Sequence, residues 1–319
     1  MIALTALRTV VAVVAARLFE SAGVLLVLAS LVFFALRVVP GDPALLVLGD
    51  QASGEEVAAL RRRLHFDEPL VTQYGRFLRG LAVLDLGESL RRPGVQAMTR
   101  VRESLGPTAG LAGLGVLLGA VGGVGTAVLA MGPWLGTRRR LIERALLLVA
   151  SAPLLTFAPL VTYFLAARWR LVPLPGDPDE GFAGLLFASS LLAIPLGAQV
   201  GRMTQAAFTE VGRSQFLMVA RAKGASALRV WLLHALPAVF GPVVTVVATQ
   251  LGALLGGAVV LERLFERPGL GSLILEAYAS RDLPVLEGAV IASGLLFVGT
   301  QGVAVLVHAL VDPRVRKGG

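Results

Sequence analysis

Cysteine is absent from this 319-residue chain, and histidine is limited to three. The first absence removes disulfides, thiolate nucleophiles and soft-metal clusters together. His65, His234 and His308 are too scattered to form a metal site. There is no Gly-x-x-x-x-Gly-Lys-Ser/Thr loop to cradle phosphates, and no Ser-His-Asp or paired-carboxylate order to support hydrolysis. Charge is scarce as well, at 16% Asp, Glu, Lys and Arg against about 25% in an ordinary soluble domain. The scarcity is concentrated. Residues 18–39, 105–131, 145–167, 182–201, 239–261 and 288–311 hold almost no ionisable side chain. A proton- or ion-coupled carrier commonly places such groups at membrane depth. Their absence, with no strong internal repeat, argues against a coupled secondary carrier.

What is present is apolar length. Hydrophobic residues make up 55% of the chain, and each of the six runs approaches or exceeds the roughly 20 residues a helix needs to cross about 30 Å of hydrocarbon. A lipid-facing backbone must satisfy its own hydrogen bonds, so the expected fold is all-α with six transmembrane helices. The first run follows a lead of about fifteen residues and has no small-residue cleavage pattern, so it reads as a retained span rather than a signal peptide. Arg8 and Arg17, Arg138 to Arg140, the cations of 205–236, and Arg314, Arg316 and Lys317 all fall on one side of a six-span topology, which predicts cytoplasmic N- and C-termini in an inner membrane. Residues 40–103 are basic too, but long and balanced by acids, and belong outside on this reading. The expected organisation is a cytoplasmic N-terminus 1–17, a first span 18–39, an extracytoplasmic loop 40–103, a transmembrane core 104–311 with a cytoplasmic loop at 205–236, and a cytoplasmic tail 312–319. The net charge of +8 is then a matter of topology, and no basic stripe with stacking aromatics points to nucleic acid.

Small residues punctuate the spans. Gly106, Gly110, Gly115, Gly119 and Gly123, with Gly122 and Gly125 beside them, make a stripe where another helix can approach closely. Gly252, Gly256 and Gly257 do the same in the fifth span, either as ordinary packing or as a pathway lining. Pro153, Pro159, Pro195 and Pro242 are expected to bend or open their helices. Hydroxyls such as Ser151, Thr156, Thr162, Ser189 and Ser190 read as packing residues. Between two apolar runs, 205–236 forms a basic amphipathic insert carrying Ala220-Arg221-Ala222-Lys223-Gly224. Phe208, Val211, Met218 and Ala222 recur at helical steps as one apolar ridge, and Gly224 is placed to end the helix in a left-handed conformation. Such a ridge flanked by cations suits the groove of a partner protein; a helix resting on the inner lipid surface is the alternative.

These residues, taken with Arg37-Val38-Val39-Pro40-Gly41-Asp42-Pro43-Ala44, Asp67-Glu68-Pro69, Gln73-Tyr74-Gly75-Arg76-Phe77, Pro107-Thr108, His234-Ala235-Leu236, Pro268-Gly269-Leu270-Gly271 and Arg281-Asp282-Leu283-Pro284, resemble the B-type permease subunits of dipeptide, oligopeptide and nickel ABC importers. The resemblance covers nearly the whole chain and implies a type I importer permease fold. It implies a coupling role toward the ATPase for Phe208, Val211, Phe216, Met218, Arg221, Ala222, Lys223 and Gly224. Gly41, Asp42, Pro43, Glu262, Pro268, Gly269, Gly271, Arg281 and Asp282 would lie in loops that face a solute-binding protein. Implied partners are a homologous second permease, one or two cytoplasmic ATP-binding subunits that hold ATP and magnesium, an extracytoplasmic solute-binding protein, and lipid. No cofactor is expected in this chain. Phe216 stands where relatives usually have tyrosine, and Gln301, Val305 and His308 replace the polar residues often found in the last span. Import of peptides is the leading reading, with nickel or another small solute on the same scaffold, or a channel or carrier acting alone, as alternatives.

Overall fold

The protein is described by a computed structural model covering residues 2–38, 43–49, 52–131, 139–177 and 181–311. Thirteen helices account for nearly all of it, and among the described residues the only β pairing is an isolated bridge between Glu88 and Gln96. In chain order they are α1 (Ile2–Val38), α2 (Pro43–Leu48), α3 (Gly54–Arg63), α4 (Leu70–Ala82), α5 (Ala97–Met131), α6 (Arg139–Ser151), α7 (Leu154–Thr162), α8 (Gly181–Val211), α9 (Gln215–Ala222), α10 (Ala227–Val230), α11 (Leu236–Leu264), α12 (Leu270–Ser280) and α13 (Leu283–Val311). Five helical stretches are long and apolar enough to span a membrane: Phe19–Val38, Ala97–Met131, Gly181–Val211, Ala227–Gln250, which runs from α10 through a π-helical turn at Trp231–Ala235 into α11, and Leu283–Val303.

The third expected span is the exception. Its two halves, Arg140–Ser151 and Leu154–Arg168, meet at 103°. Proline disfavours the helical region for the residue before it, and here α6 stops before Ala152-Pro153 and Pro153 becomes the N-cap of α7. Pro159 sits inside α7, which passes into a π-helical stretch at Tyr163–Arg168. Pro195 and Pro242 are instead carried within the continuous helices α8 and α11. The chain divides into two compact units, Met1–Thr108 with Arg267–Leu296 and Ala109–Glu266 with Phe297–Gly319.

In the first unit, the segment expected as a long outer loop is itself helical. Ser53 and Glu56 form a reciprocal capping box that starts α3, Ser53 Oγ accepting from Glu56 N–H and the Glu56 carboxylate accepting from Ser53 N–H. That backbone hydrogen bond, followed by the one from the Ser53 hydroxyl, holds the Glu56 carboxyl below its ordinary range. α4 is amphipathic, and its inner face brings Phe77 and Tyr74 against Phe33 of α1, each ring pair 5.2 Å apart. Tyr74 also shares a 2.6 Å hydrogen bond with Ser30. A second cluster joins Ala97 and Val101 to Leu270, Leu273, Ala277, Val285 and Ala289. Gly269 has no side chain to cap α12, and Thr108 Oγ1 accepts from Leu270 N–H at 2.8 Å in its place.

In the second unit α5 and α8 pack through their small residues. A Cβ at Gly115 or Gly119 would lie 2.9 Å from Leu192 Cδ2 or 2.6 Å from Leu196 Cδ2, and one at Gly123 would lie 2.6 Å from the Gly197 carbonyl oxygen. This part of the stripe is therefore used within the subunit. Gly106, Gly110, Gly122 and Gly125 have nothing within 4 Å of that position. Gly123→Ala must push two backbones apart and is expected to cost about 1–3 kcal/mol, whereas Gly125→Ala is expected to gain up to about 1 kcal/mol from helix propensity. Thermal unfolding of the two variants in detergent checks the contrast, and equal melting temperatures would refute it.

Candidate functional site

Within the basic insert, the ridge expected over 208–222 is divided between two helices rather than carried by one. α8 runs on to Val211, the chain turns through Gly212-Arg213-Ser214, and Ser214 in extended conformation begins the short α9. Glycine is a poor helix former and serine favours helix starts, so the break falls where both occur together. This corrects the single apolar ridge expected from the sequence. Phe208 is buried at the end of α8 and Val211 packs beside it, whereas Met218 on α9 is 68% exposed.

The face of α9 that turns inward carries Leu217 and Ala220, one helical turn apart. They join a cluster with Ala127 of α5, Phe208 of α8, Val230 of α10, and Ala235 and Val239 at the start of α11. Trp231 closes it. Its ring centroid lies 4.0 Å from that of Phe208, and its indole N–H donates to the Met131 carbonyl oxygen at 3.0 Å. Leu217 and Trp231 were not singled out from the sequence, and Ala220 only as the first residue of the basic motif, although the three-residue spacing of Leu217 and Ala220 is a helical signal. The opposite face is apolar but uncovered: Phe216, Met218 and Val219 are all exposed, beside exposed Ala222.

The end of α9 is held by its backbone. Ala225 N–H bonds to the Ala220 carbonyl at 3.2 Å and Gly224 N–H to that of Arg221 at 2.9 Å, the paired pattern of a Schellman motif. It requires the left-handed conformation that Gly224 adopts, with φ of 81°. Ser226 then caps α10 by accepting from Arg229 N–H. The exposed Arg221, Lys223 and Arg229 ring this corner with positive charge.

The outer-loop candidates are brought together only in part. Gly41 and Asp42 lie outside the described residues, and Pro43 opens α2. Pro268 is exposed and Arg281 half-buried, but Gly269 and Gly271 are buried in the start of α12. Glu262 and Asp282 are 1% and 0% exposed, so neither presents a surface to a partner in this conformation. Asp282 is a structural hub. Its carboxylate accepts from the Ser89 hydroxyl and, at 3.1 Å, from Leu90 N–H, with Arg100 4.0 Å away. Arg100 in turn donates to both oxygens of Glu276 at 2.9 Å. The cause of the burial is local: Arg281 takes a left-handed φ of 59° to end α12, which turns the next residue inward.

Of the pathway candidates, Gly252 faces the Phe297 ring and Gly257 lies between Leu192 and Leu154, so both serve packing within the subunit. Only Gly256 faces open space. A buried ion pair absent from the sequence reading joins Arg37 of α1 to Glu287 of α13 at 2.8 Å. Arg37 also donates to the Phe33 carbonyl and to Gln73 of α4, and its guanidinium lies 3.5 Å from the Phe33 ring centre.

Two family models match the chain. The binding-protein-dependent transport system inner membrane component covers residues 115–317, and the N-terminal region of such membrane components covers residues 10–91. A putative peptide transport system permease of Brucella abortus is 34% identical, over 96% of this chain and 99% of its own. A glutathione transport system permease of Salmonella paratyphi A is 31% identical over 92% and 94%, and a dipeptide transport system permease of Alkalihalophilus pseudofirmus 30% over 89% and 93%. In fold, the inward-facing MetNI methionine ABC transporter is similar with a TM-score of 0.57, at 16% identity over 67% of this chain and 97% of that one. On its sequence matches, and with helices that fit a multi-pass membrane protein, the chain belongs to the inner-membrane components of binding-protein-dependent transport systems.

Proposed function

We propose that this chain is the permease subunit of an ATP-driven importer of short peptides, and that α9 receives a cytoplasmic ATP-binding subunit. The observation that carries the reading is the division of α9 into two apolar faces, one locked by Leu217 and Ala220 and one left open with Phe216, Met218 and Val219. A helix anchored so firmly moves with the ends of α5, α8 and α11, so a push on its outer face reaches the spans directly. Peptide as the solute is supported by the names of the relatives. ATP and magnesium belong to the ATP-binding subunits, and a homologous second permease completes the path. The cationic corner around Arg221, Lys223 and Arg229 supports a cytoplasmic α9 and, with it, cytoplasmic termini.

Vesicles reconstituted with the full transporter and its solute-binding protein are expected to take up a dipeptide only when ATP is supplied. Uptake by this chain alone, without ATP, would reject the importer. A cysteine at Ser53 is expected to react with an impermeant maleimide from outside the cell and one at Ser226 only after the cytoplasmic face is opened; the reverse pattern would invert the topology.

A further inference from the structure

Within the first unit, the end of α3, the length of α4, the segment 85–93 and the start of α13 enclose a cavity of about 760 Å³. Leu64, Phe66, Val83 and Leu90 give it apolar walls. Its charges differ sharply in how far they are already committed. Arg37 and Glu287 at its edge are paired and nearly buried, with side chains 16% and 8% exposed. Arg76 donates to both oxygens of Glu68 at 2.8 Å, which holds the Glu68 carboxyl below its ordinary range. Arg63 and Glu88 pair at 3.0 Å, but their side chains are 67% and 41% exposed, so water screens the pair and a ligand can exchange into it. Arg79 has no anionic partner among the described residues, and the Asp85 carboxylate accepts only the Gly87 N–H, at 3.0 Å.

The rim therefore offers an uncommitted cation and accessible carboxylates around apolar walls, in a volume typical of small-ligand sites. A purely anionic ligand would face Asp85 and Glu88, and a purely cationic one would face Arg63 and Arg79. A molecule with a carboxylate at one end, an ammonium at the other and apolar groups between them satisfies both. We infer that this cavity is an accessory site for a short zwitterionic peptide, its C-terminal carboxylate held by Arg79 and its N-terminal ammonium by Asp85, with the Arg63–Glu88 pair on the same rim. The inference rests on the peptide-importer reading and adds to it a site on the permease itself, on the face where the solute is delivered.

Calorimetric titration of the full transporter in nanodiscs, without the solute-binding protein, tests it with dialanine, N-acetyl-dialanine and dialanine amide as probes. Dialanine is expected to bind saturably, and each blocked form about tenfold or more weakly, one charge contact being lost. Arg79→Gln is expected to weaken dialanine by a similar factor without weakening the amide, and Asp85→Asn to do the same with the N-acetyl form. Both positions are exposed, so unaltered melting temperatures are expected, and Arg79→Lys is expected to retain most of the binding. Non-saturable binding to the wild-type complex, or wild-type affinity in both variants, would overturn the site. Neither result touches the importer reading, which stands or falls on ATP- and binding-protein-dependent uptake by the wild-type vesicles.

Discussion

Charge placed on the open face of α9, as in Phe216→Glu combined with Met218→Glu, is expected to release the ATP-binding subunit while the permease still inserts and folds. The two side chains are 47% and 68% exposed in the isolated chain, so the substitutions disturb little in its own core. In a docked complex they would each contribute roughly 1.5–3 kcal/mol by full burial, and a central hot spot is worth at least about 2 kcal/mol. That corresponds to a loss of about thirtyfold or more in affinity. Leu217→Ala provides the contrast. It removes the anchor rather than the docking face and is expected to cost about 2–5 kcal/mol of fold stability. Gly224→Val acts in a third way: nothing lies within 4 Å of the new Cβ, but a φ of 81° strains any β-branched residue by about 1–3 kcal/mol. Uptake should fall with the protein still in the membrane. Co-purification with a tagged permease, peptide uptake and melting temperature separate the three, and a double glutamate variant that keeps both its ATP-binding subunit and its uptake would reject α9 as the docking element.

Glu287→Ala is expected to be the most damaging single change in the first unit. It leaves the Arg37 guanidinium nearly buried with its anionic partner gone, at a cost of roughly 3–5 kcal/mol. Replacing both partners, as in Arg37→Met with Glu287→Leu, is expected to recover most of that loss, because desolvation of two charges is removed along with their attraction. Some loss should persist, since Arg37 also holds Gln73 and covers Phe33. Thermal unfolding of Arg37→Met, Glu287→Leu and the double variant gives the coupling directly. A double variant no more stable than Glu287→Ala would mean that the ion pair is not what joins α1 to α13.

Much of the architecture was legible because hydrocarbon is a demanding solvent. Apolar runs at 18–39, 105–131, 182–201, 239–261 and 288–311 each fall largely within one long helix, and Gly224 adopts the left-handed turn expected of it. The helices extend past the runs, however. α5 begins at Ala97 and α13 at Leu283, because a helix continues wherever its backbone bonds to itself, whether or not lipid surrounds it. That extension brings Glu287, just outside the apolar run at 288–311, into the helix. The run at 145–167 has the composition of a span, but its shape was not legible: the helix pair that carries it bends by 103° next to Pro153.

The candidate site was legible in place but not in facing. Arg221, Lys223 and Gly224 were marked by their spacing, and they do lie exposed at the end of α9. Phe208 was assigned to the docking ridge and is instead part of the anchor, because a three-residue turn at Gly212 resets the helical phase. The family resemblance implied that Asp282 and Glu262 lie in loops facing a solute-binding protein, yet both are buried.

By itself the sequence determined the all-helical membrane fold, the position of the basic insert and the family, since length, apolarity and local turn chemistry are properties of neighbouring residues. Only the tertiary structure decided that Arg37 meets Glu287, that Asp282 gathers Ser89 and Arg100, and which face of α9 remains open. Such contacts join residues as many as 250 positions apart, and no local pattern encodes a distance of that kind.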